Sequence, residues 1–240
     1  MKNFTFSCLL LISLSVFGTN SKKTNVQLQN KYINIGGVSV TIPLFDSSFV
    51  EVGNENRKKM EVLVPNTNRL LHAYVLSKDF PSLLTGSTDE DYLSRYAMIE
   101  VDKTLESKFV NSEDFNQLVS FVSKNDIYKS EKVKDVEKEI NRRLEALDLS
   151  KLKIGQPTPL GCLFSKKNLY AQGILMAYEQ NGNTKVKAIL IAMIHVKSRY
   201  FMIFINSNYK GNETIIWLKN IGEKWGDMIL RANQSQIRRK

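Results

Sequence analysis

Few residues of this chain can do chemistry. Two histidines, His72 and His195, and two cysteines, Cys8 and Cys162, are all it offers toward a soft metal site or a nucleophile–base pair. A zinc site draws on several such ligands at close spacing, and these four are scattered. Both histidines lie in strand-like runs, Leu71-His72-Ala73 and Ile194-His195-Val196, so each is expected to be a hydrogen-bonded structural residue. Cys162, between Gly161 and Leu163, reads as a buried, inert thiol; pairing with His195 or His72 is the catalytic alternative. The closest carboxylates are Asp89-Glu90-Asp91 and Glu113-Asp114. The first set reads as a solvated loop, without the glycine and spacing of a calcium loop. The second suits the positive end of a helix. No phosphate-binding glycine loop, dinucleotide fingerprint, H-E-x-x-H or G-x-S-x-G occurs. The expectation is therefore a non-enzymatic protein with no catalytic residue, cofactor or metal assigned; a hydrolase-type enzyme is the weakest alternative.

Charge is the one unusual bulk property. The 240 residues carry 34 Lys and Arg against 24 Asp and Glu, a net charge of +10. Basic clusters fall at Arg57-Lys58-Lys59, Arg142-Arg143, Lys151 with Lys153, Lys166-Lys167 and Arg238-Arg239-Lys240. If several met on one face they would attract anionic headgroups, an acidic envelope polymer or an acidic protein. Arg57, Lys58, Lys59, Lys166, Lys167, Arg238, Arg239 and Lys240 are the candidate anionic-surface contacts. Nucleic acid is not an expected partner, because the strands lack the basic-aromatic motif of an RNA-binding sheet.

The composition, 42% hydrophobic with 12 Gly and 5 Pro, is that of a folded globular chain and excludes low-complexity fibre and disorder. Residues 1–18 read as a secretory signal: Lys2 is the positive flank, Phe4 to Phe17 is mostly apolar, and Val16 and Gly18 precede a cut before Thr19. No later stretch is apolar enough to span a bilayer. The expected address is the bacterial periplasm or the exterior. Residues 19–30 form a polar lead-in, 31–233 one domain and 234–240 a basic tail. With Cys8 in the signal, the mature chain keeps only Cys162 and needs no disulfide at this size. Asn212 and Asn233 head N-x-S/T triplets, which matter only in a glycosylating host.

Elements that could position these residues follow from periodicity. Ile33 to Ile42 alternates around Gly36-Gly37, as a hairpin does. Asn54 to Val64 suits a helix stopped by Pro65, and Arg69 to Leu76 and Arg95 to Val101 suit strands, with a loop over Leu83 to Asp91. Asn111 or Ser112 caps a helix with the stripe Phe115, Leu118, Val119, Val122. Ser130 opens another, seamed by Val133, Val136, Ile140, Leu144 and Leu147. From Leu160 to Asn206, turns at Lys167-Asn168, Asn181-Gly182 and Lys197-Ser198 mark an antiparallel meander, with Ala188 to Ile194 apolar on both faces. A last helix from Asn212 carries Leu218, Ile221, Trp225, Met228 and Ile229 inward. Tyr200, Phe201, Phe204 and Trp225 read as core, whereas Trp217 falls off that stripe. The fold class predicted is α+β: a three-layer α/β/α sandwich around a mainly antiparallel sheet, with a C-terminal meander and a long terminal helix.

Two segments carry a resemblance. Pro65-Asn66-Thr67-Asn68-Arg69-Leu70-Leu71-His72-Ala73-Tyr74-Val75 and Ile205-Asn206-Ser207-Asn208-Tyr209-Lys210-Gly211, with Trp217-Leu218 and Trp225, resemble exported bacterial proteins of the PsbP-like superfamily of α/β/α sandwiches. The resemblance covers about Tyr32 to Asn233 in element order. It implies a scaffold for accessory or binding proteins rather than a particular chemistry. The functional expectation is an exported, non-catalytic accessory or binding protein whose partner is a protein or an anionic envelope component. A small-molecule or lipid carrier with a pocket beside the meander is the alternative.

Overall fold

The computed structural model describes residues 30–85, 93–124, 131–146, 152–180 and 182–234. The expected signal (1–18), most of the polar lead-in, the acidic triplet Asp89-Glu90-Asp91, and Arg238, Arg239 and Lys240 lie outside the described residues. Ser130, Leu147, Lys151 and Asn181 also lie outside them.

The chain begins with a hairpin of β1 (Lys31–Ile35) and β2 (Val38–Ile42), turned by Gly36 and Gly37 at φ +54° and +82°. A Cβ on Gly36 would collide with the Glu106 carbonyl oxygen, so this turn requires glycine on both conformational and steric grounds. Then come β3 (Phe49–Glu51), α1 (Asn54–Glu61), β4 (Asn68–Leu76), α2 (Phe80–Thr85) and β5 (Arg95–Asp102). Two helices, α3 (Ser112–Lys124) and α4 (Glu131–Ala146), lead to β6 (Leu152–Lys166), β7 (Leu169–Gln180), β8 (Asn183–Val196) and β9 (Arg199–Asn208). The last element is α5 (Asn212–Ala232).

The main sheet has seven strands in the order β3-β4-β5-β9-β8-β7-β6, all pairs antiparallel. After β5 the chain crosses to the far edge through α3 and α4, then walks back strand by strand until β9 pairs with β5. Each return turn is short, and Asn168, Gly182, Lys197 and Ser198 take the positive φ such turns need. β8 is apolar on both faces because both faces are covered. On one side α5 and the hairpin enclose Ala97, Ile99, Leu190, Ala192, Phe201 and Ile203 with Leu218, Trp225 and Ile229. On the other, α1 and α2 cover Leu70, Ala73, Val75 and Met98, and α3 covers Tyr170, Met193 and Tyr200. α4 packs Ile140 and Leu144 against Val62 and Ile154. The α+β sandwich expected from sequence is present.

Three local expectations are corrected. In place of a loop from Leu83, Phe80–Thr85 is a short helix, with Pro81 in its first turn where no amide hydrogen is required. The first meander strand starts at Leu152, well before Leu160. Pro157 and Pro159 argue against a central strand, but β6 is an edge strand, where a missing N–H costs nothing. Its prolines and three register irregularities also blunt that edge against pairing with another chain. Finally, the buried face of α5 includes Gly222 and Gly226, which carry no hydrophobic signal; Ile221 and Met228 are only half-buried.

Those two glycines let α5 lie close on the sheet. A Cβ would fall 2.7 Å from Leu190 Cδ1 at Gly222 and 2.6 Å from Leu169 Cδ2 at Gly226, and both leucines are fully buried. Trp225 sits between them, its Nε1–H donating to the Pro43 carbonyl at 2.9 Å and its ring 4.1 Å from Phe45. Asn233 fastens the far end of α5 by imitating a strand: its side-chain oxygen accepts from Thr41 N and its amide donates to Thr41 O. Asn141 fastens α4 to Ile154 in the same way. Gly226→Val is expected to lower Tm well beyond Lys224→Val at an exposed position, since overpacking costs about 1–3 kcal/mol and each kcal/mol moves Tm by about 2–4 °C at this size. Thermal unfolding followed by circular dichroism checks it; equal Tm values would mean that α5 is not seated this closely.

Candidate functional site

Half of the described members of the basic clusters are committed to holding the fold. Arg57 donates to Leu71 O at 3.0 Å and to Asn54 Oδ1 at 2.7 Å, and Lys59 donates to the carbonyls of Leu83 and Leu84 at 2.8 Å each. Arg143 caps the end of α1 through Glu61 O and Val64 O. Lys166 bridges Glu223 at 2.8 Å and Asp227 at 2.9 Å on α5. Lys58 and Lys167 are exposed. α1 and α5 cover opposite faces of the sheet, so the Arg57–Lys59 and Lys166–Lys167 clusters do not meet.

The histidines and the cysteine are separate as well. His195 is buried, with Nε2 2.7 Å from Val110 O and Nδ1 3.2 Å from Asn168 Oδ1, which ties the chain before α3 to the sheet. The short Nε2 contact to a carbonyl makes that nitrogen the donor. His72 Nδ1 lies 2.6 Å from Glu51 Oε1, and Glu51 also takes Lys31 at 2.9 Å, so the hairpin, β3 and β4 share one polar knot. Burial, aided by the charges of Arg57 and Lys31, outweighs Glu51 and holds His72 below the ordinary histidine pKa. Burial pulls Glu51 upward, but the Lys31 bond and the charges of His72 and Lys31 leave it below the usual carboxylate value. The pair is accordingly a neutral imidazole donating to a carboxylate at neutral pH, rather than two opposite charges. Cys162, expected to be buried, is exposed, because it lies on β6, the outermost strand of the sheet. Five strand spacings separate β6 from β4, roughly 24 Å at about 4.8 Å each, which keeps Cys162 from His72. His195 is two strands across and four residues along from it. No Cys–His pair forms among them.

Between α4 and the sheet lies an apolar cavity of about 80 Å³, lined by Leu63, Tyr96, Leu144, Met176, Tyr178 and Ile189 among others. Lys187 reaches it, donating to Leu93 O at 2.5 Å and Asn208 Oδ1 at 2.6 Å. This volume is well below the several hundred Å³ that a drug-sized ligand occupies.

A different set of residues does converge. β4 ends, β5 begins and β9 ends at one extremity of the sheet, and α5 starts beside them. Arg95 and Ser207 are register partners on the face toward α5, and Arg95 Nε donates to Ser207 Oγ at 3.3 Å. The guanidinium then lies over the Trp217 ring, 4.2 Å from its centroid. Asp79 is 5% exposed and fixes the floor: it accepts from Ser94 Oγ at 2.8 Å and Arg95 N at 3.3 Å, while its own backbone holds Leu76 O and Leu83 N. On the helix side Gly211 turns at φ +118°, and Lys210 N donates to the buried Thr214 hydroxyl at 3.0 Å. The result is a cleft of about 430 Å³ lined by the cations Lys78, Arg95 and Lys210, the hydroxyls of Ser94, Ser207 and Thr214, Asn208, Trp217 and one carboxylate, Glu213. Its size suits a ligand moiety or a protruding chain, and its fixed charges favour an anion. Sequence reading singled out Trp217 by its position off the stripe. The three cations lie outside every basic cluster noted in the sequence, and only topology brings them together.

Among the described residues no helix is long and apolar enough to cross a membrane, and no group of three or more His, Cys, Asp and Glu could hold a metal ion. No family model matches the chain, and no curated protein matches it. Among solved structures, a single-substitution mutant of the protein Mog1 is similar at 14% identity and a TM-score of 0.29, over 88% of this chain and 94% of that one.

A second buried acid lies away from the cleft. Glu100 on β5 is 1% exposed, accepts from Asn68 Nδ2 at 2.9 Å, and is pushed by burial, against that bond, up to about 7. An acid whose pKa is higher in the fold than in the unfolded chain holds its proton more tightly when folded. Its protonated form thus favours the fold, and stability falls as pH rises from the unfolded pKa toward about 7, then levels. Glu100→Gln keeps an acceptor for Asn68 without the charge. It is expected to raise Tm at about pH 8 and to leave it unchanged near pH 4. Melting curves across that range check this, and a variant no more stable at high pH would refute it.

Proposed function

We propose that this chain is an exported, non-catalytic binding protein that holds an anionic group of a partner or envelope component in the cleft between α5 and the ends of β4, β5 and β9. The observation that carries the reading is the convergence of Lys78, Arg95 and Lys210 around Trp217 in a cleft of about 430 Å³. The histidines and Cys162, by contrast, are apart or hydrogen-bonded into the scaffold. Export rests on the signal-like residues 1–18. The PsbP-like resemblance of the Pro65–Val75 and Ile205–Gly211 segments supports an accessory role over catalysis. Lys58 and Lys167 are exposed and do not line the cleft, so they contribute only to the long-range positive field.

The cleft contains one of the chain's two tryptophans; the other, Trp225, is fully buried. Binding is therefore readable in intrinsic fluorescence. Poly-glutamate added at low salt is expected to change the Trp217 signal, with affinity falling steeply as salt rises. The response is expected to vanish in Trp217→Phe and to weaken about tenfold or more in Arg95→Ala, whose loss removes a charge-assisted donor. Lys58→Ala and Lys167→Ala are expected to leave it within about twofold. A silent Trp217, or equal losses from Lys58→Ala and Arg95→Ala, would overturn the reading.

A further inference from the structure

The rim of the cleft narrows the chemistry of the partner. Among the described residues, Tyr209 and Ile216 are two of the few large apolar side chains left exposed, at 39% and 53%. Tyr209 lies between the cleft residues Asn208 and Lys210, and Ile216 lies one residue before Trp217 and one turn after Glu213. Two exposed apolar side chains thus adjoin, along the chain, residues that line the polar pocket: one beside its β9 residues and one beside its α5 residues.

Inside the pocket, Arg95 is held in one pose by the Trp217 ring beneath it and by Ser207 Oγ at its Nε. With Nε used, the groups left to a ligand are the two terminal nitrogens, a planar fork that matches the two oxygens of a carboxylate. Glu213 lines the same cleft. Its negative charge opposes a dianionic phosphate more than a singly charged carboxylate. Lys78 and Lys210 supply attraction without geometry, as flexible point charges do.

We propose, resting on the binding reading above, that the occupant is a protein segment presenting a carboxylate beside an apolar side chain. The carboxylate sits on the Arg95 fork and the apolar side chain packs against Ile216 and Tyr209. Charge complementarity with the +10 chain draws such an acidic segment in, and the exposed apolar rim distinguishes it from a simple anionic polymer or headgroup.

The test uses the full mature chain and four probes followed by Trp217 fluorescence: a short blocked peptide with Glu next to Leu, the same peptide with Leu replaced by Ala, inorganic phosphate, and vesicles of anionic phospholipid. The Glu-Leu peptide is expected to bind at least about fivefold more tightly than the Glu-Ala peptide, and Ile216→Ser is expected to erase most of that difference by weakening the Glu-Leu peptide more than the Glu-Ala peptide. Arg95→Lys is expected to weaken both peptides about tenfold, because Lys keeps the charge and loses the fork. Phosphate or vesicles binding as tightly as the Glu-Leu peptide, or a Leu-to-Ala change without effect, would overturn the peptide assignment and leave the anion-binding cleft standing. No Trp217 response to any probe would remove the cleft as well. Circular dichroism of each variant shows whether it is folded before its affinity is read.

Discussion

The cleft at the end of the sheet depends on how closely α5 can lie on the strands. With Gly222 and Gly226 facing Leu190 and Leu169, the helix axis approaches nearer than any side chain at those positions would permit. Trp225 fills the remaining space and satisfies its indole N–H on Pro43, while Asn233 pins the far end to Thr41. These three devices fix the helix in height, rotation and length. Its first turns are thereby delivered to the strand ends, where Trp217 meets Arg95 and Lys210 is held by Thr214. A helix displaced outward by a single methyl layer would part the Arg95–Trp217 stack. The cleft is thus a consequence of core packing well below it.

The positive charge has a structural explanation that does not require a large anionic surface. Arg57, Lys59, Lys103, Arg143, Lys197 and Arg199 each donate to backbone carbonyls left over at helix ends, turns and loops or, for Leu71 and Ser39, within strands. A cation used in this way needs no acidic partner, so a chain that closes its loops with Lys and Arg accumulates net charge. Arg199 is the clearest case, joining Ile35 and Gly36 of the hairpin to Lys108 ahead of α3. Several members of the basic runs in the sequence are used in this way. Single cations at strand ends, Lys78, Arg95 and Lys210, are the ones gathered around a cleft.

The fold was legible to the degree that it rests on periodicity. The alternating runs of the hairpin, the two-faced apolar β8, the three turns of the meander and the stripes of α3 and α5 all announce themselves through spacing. What escaped is what periodicity does not encode. Glycines at a helix–sheet contact carry no hydrophobic signal, prolines conceal an edge strand, and Cys162 looks buried until β6 is known to be outermost. The cleft draws on residues from four elements, brought together because β9 inserts beside β5 rather than beside β6. No local pattern states that order, so only Trp217, a tryptophan off its stripe, gave notice of it.

The central claim is that α5 seats Trp217 under Arg95 to make a preorganised anion fork. Nuclear magnetic resonance of the Arg95 Nε–H group reads this directly, first in the free protein and then with an acidic peptide added. The account predicts a resonance already displaced upfield by the indole ring current in the free protein. That resonance then moves on peptide addition, while the amides of Lys58 and Lys167 stay fixed. An Arg95 signal at the position of a solvent-exposed arginine, indifferent to the peptide, would contradict the account.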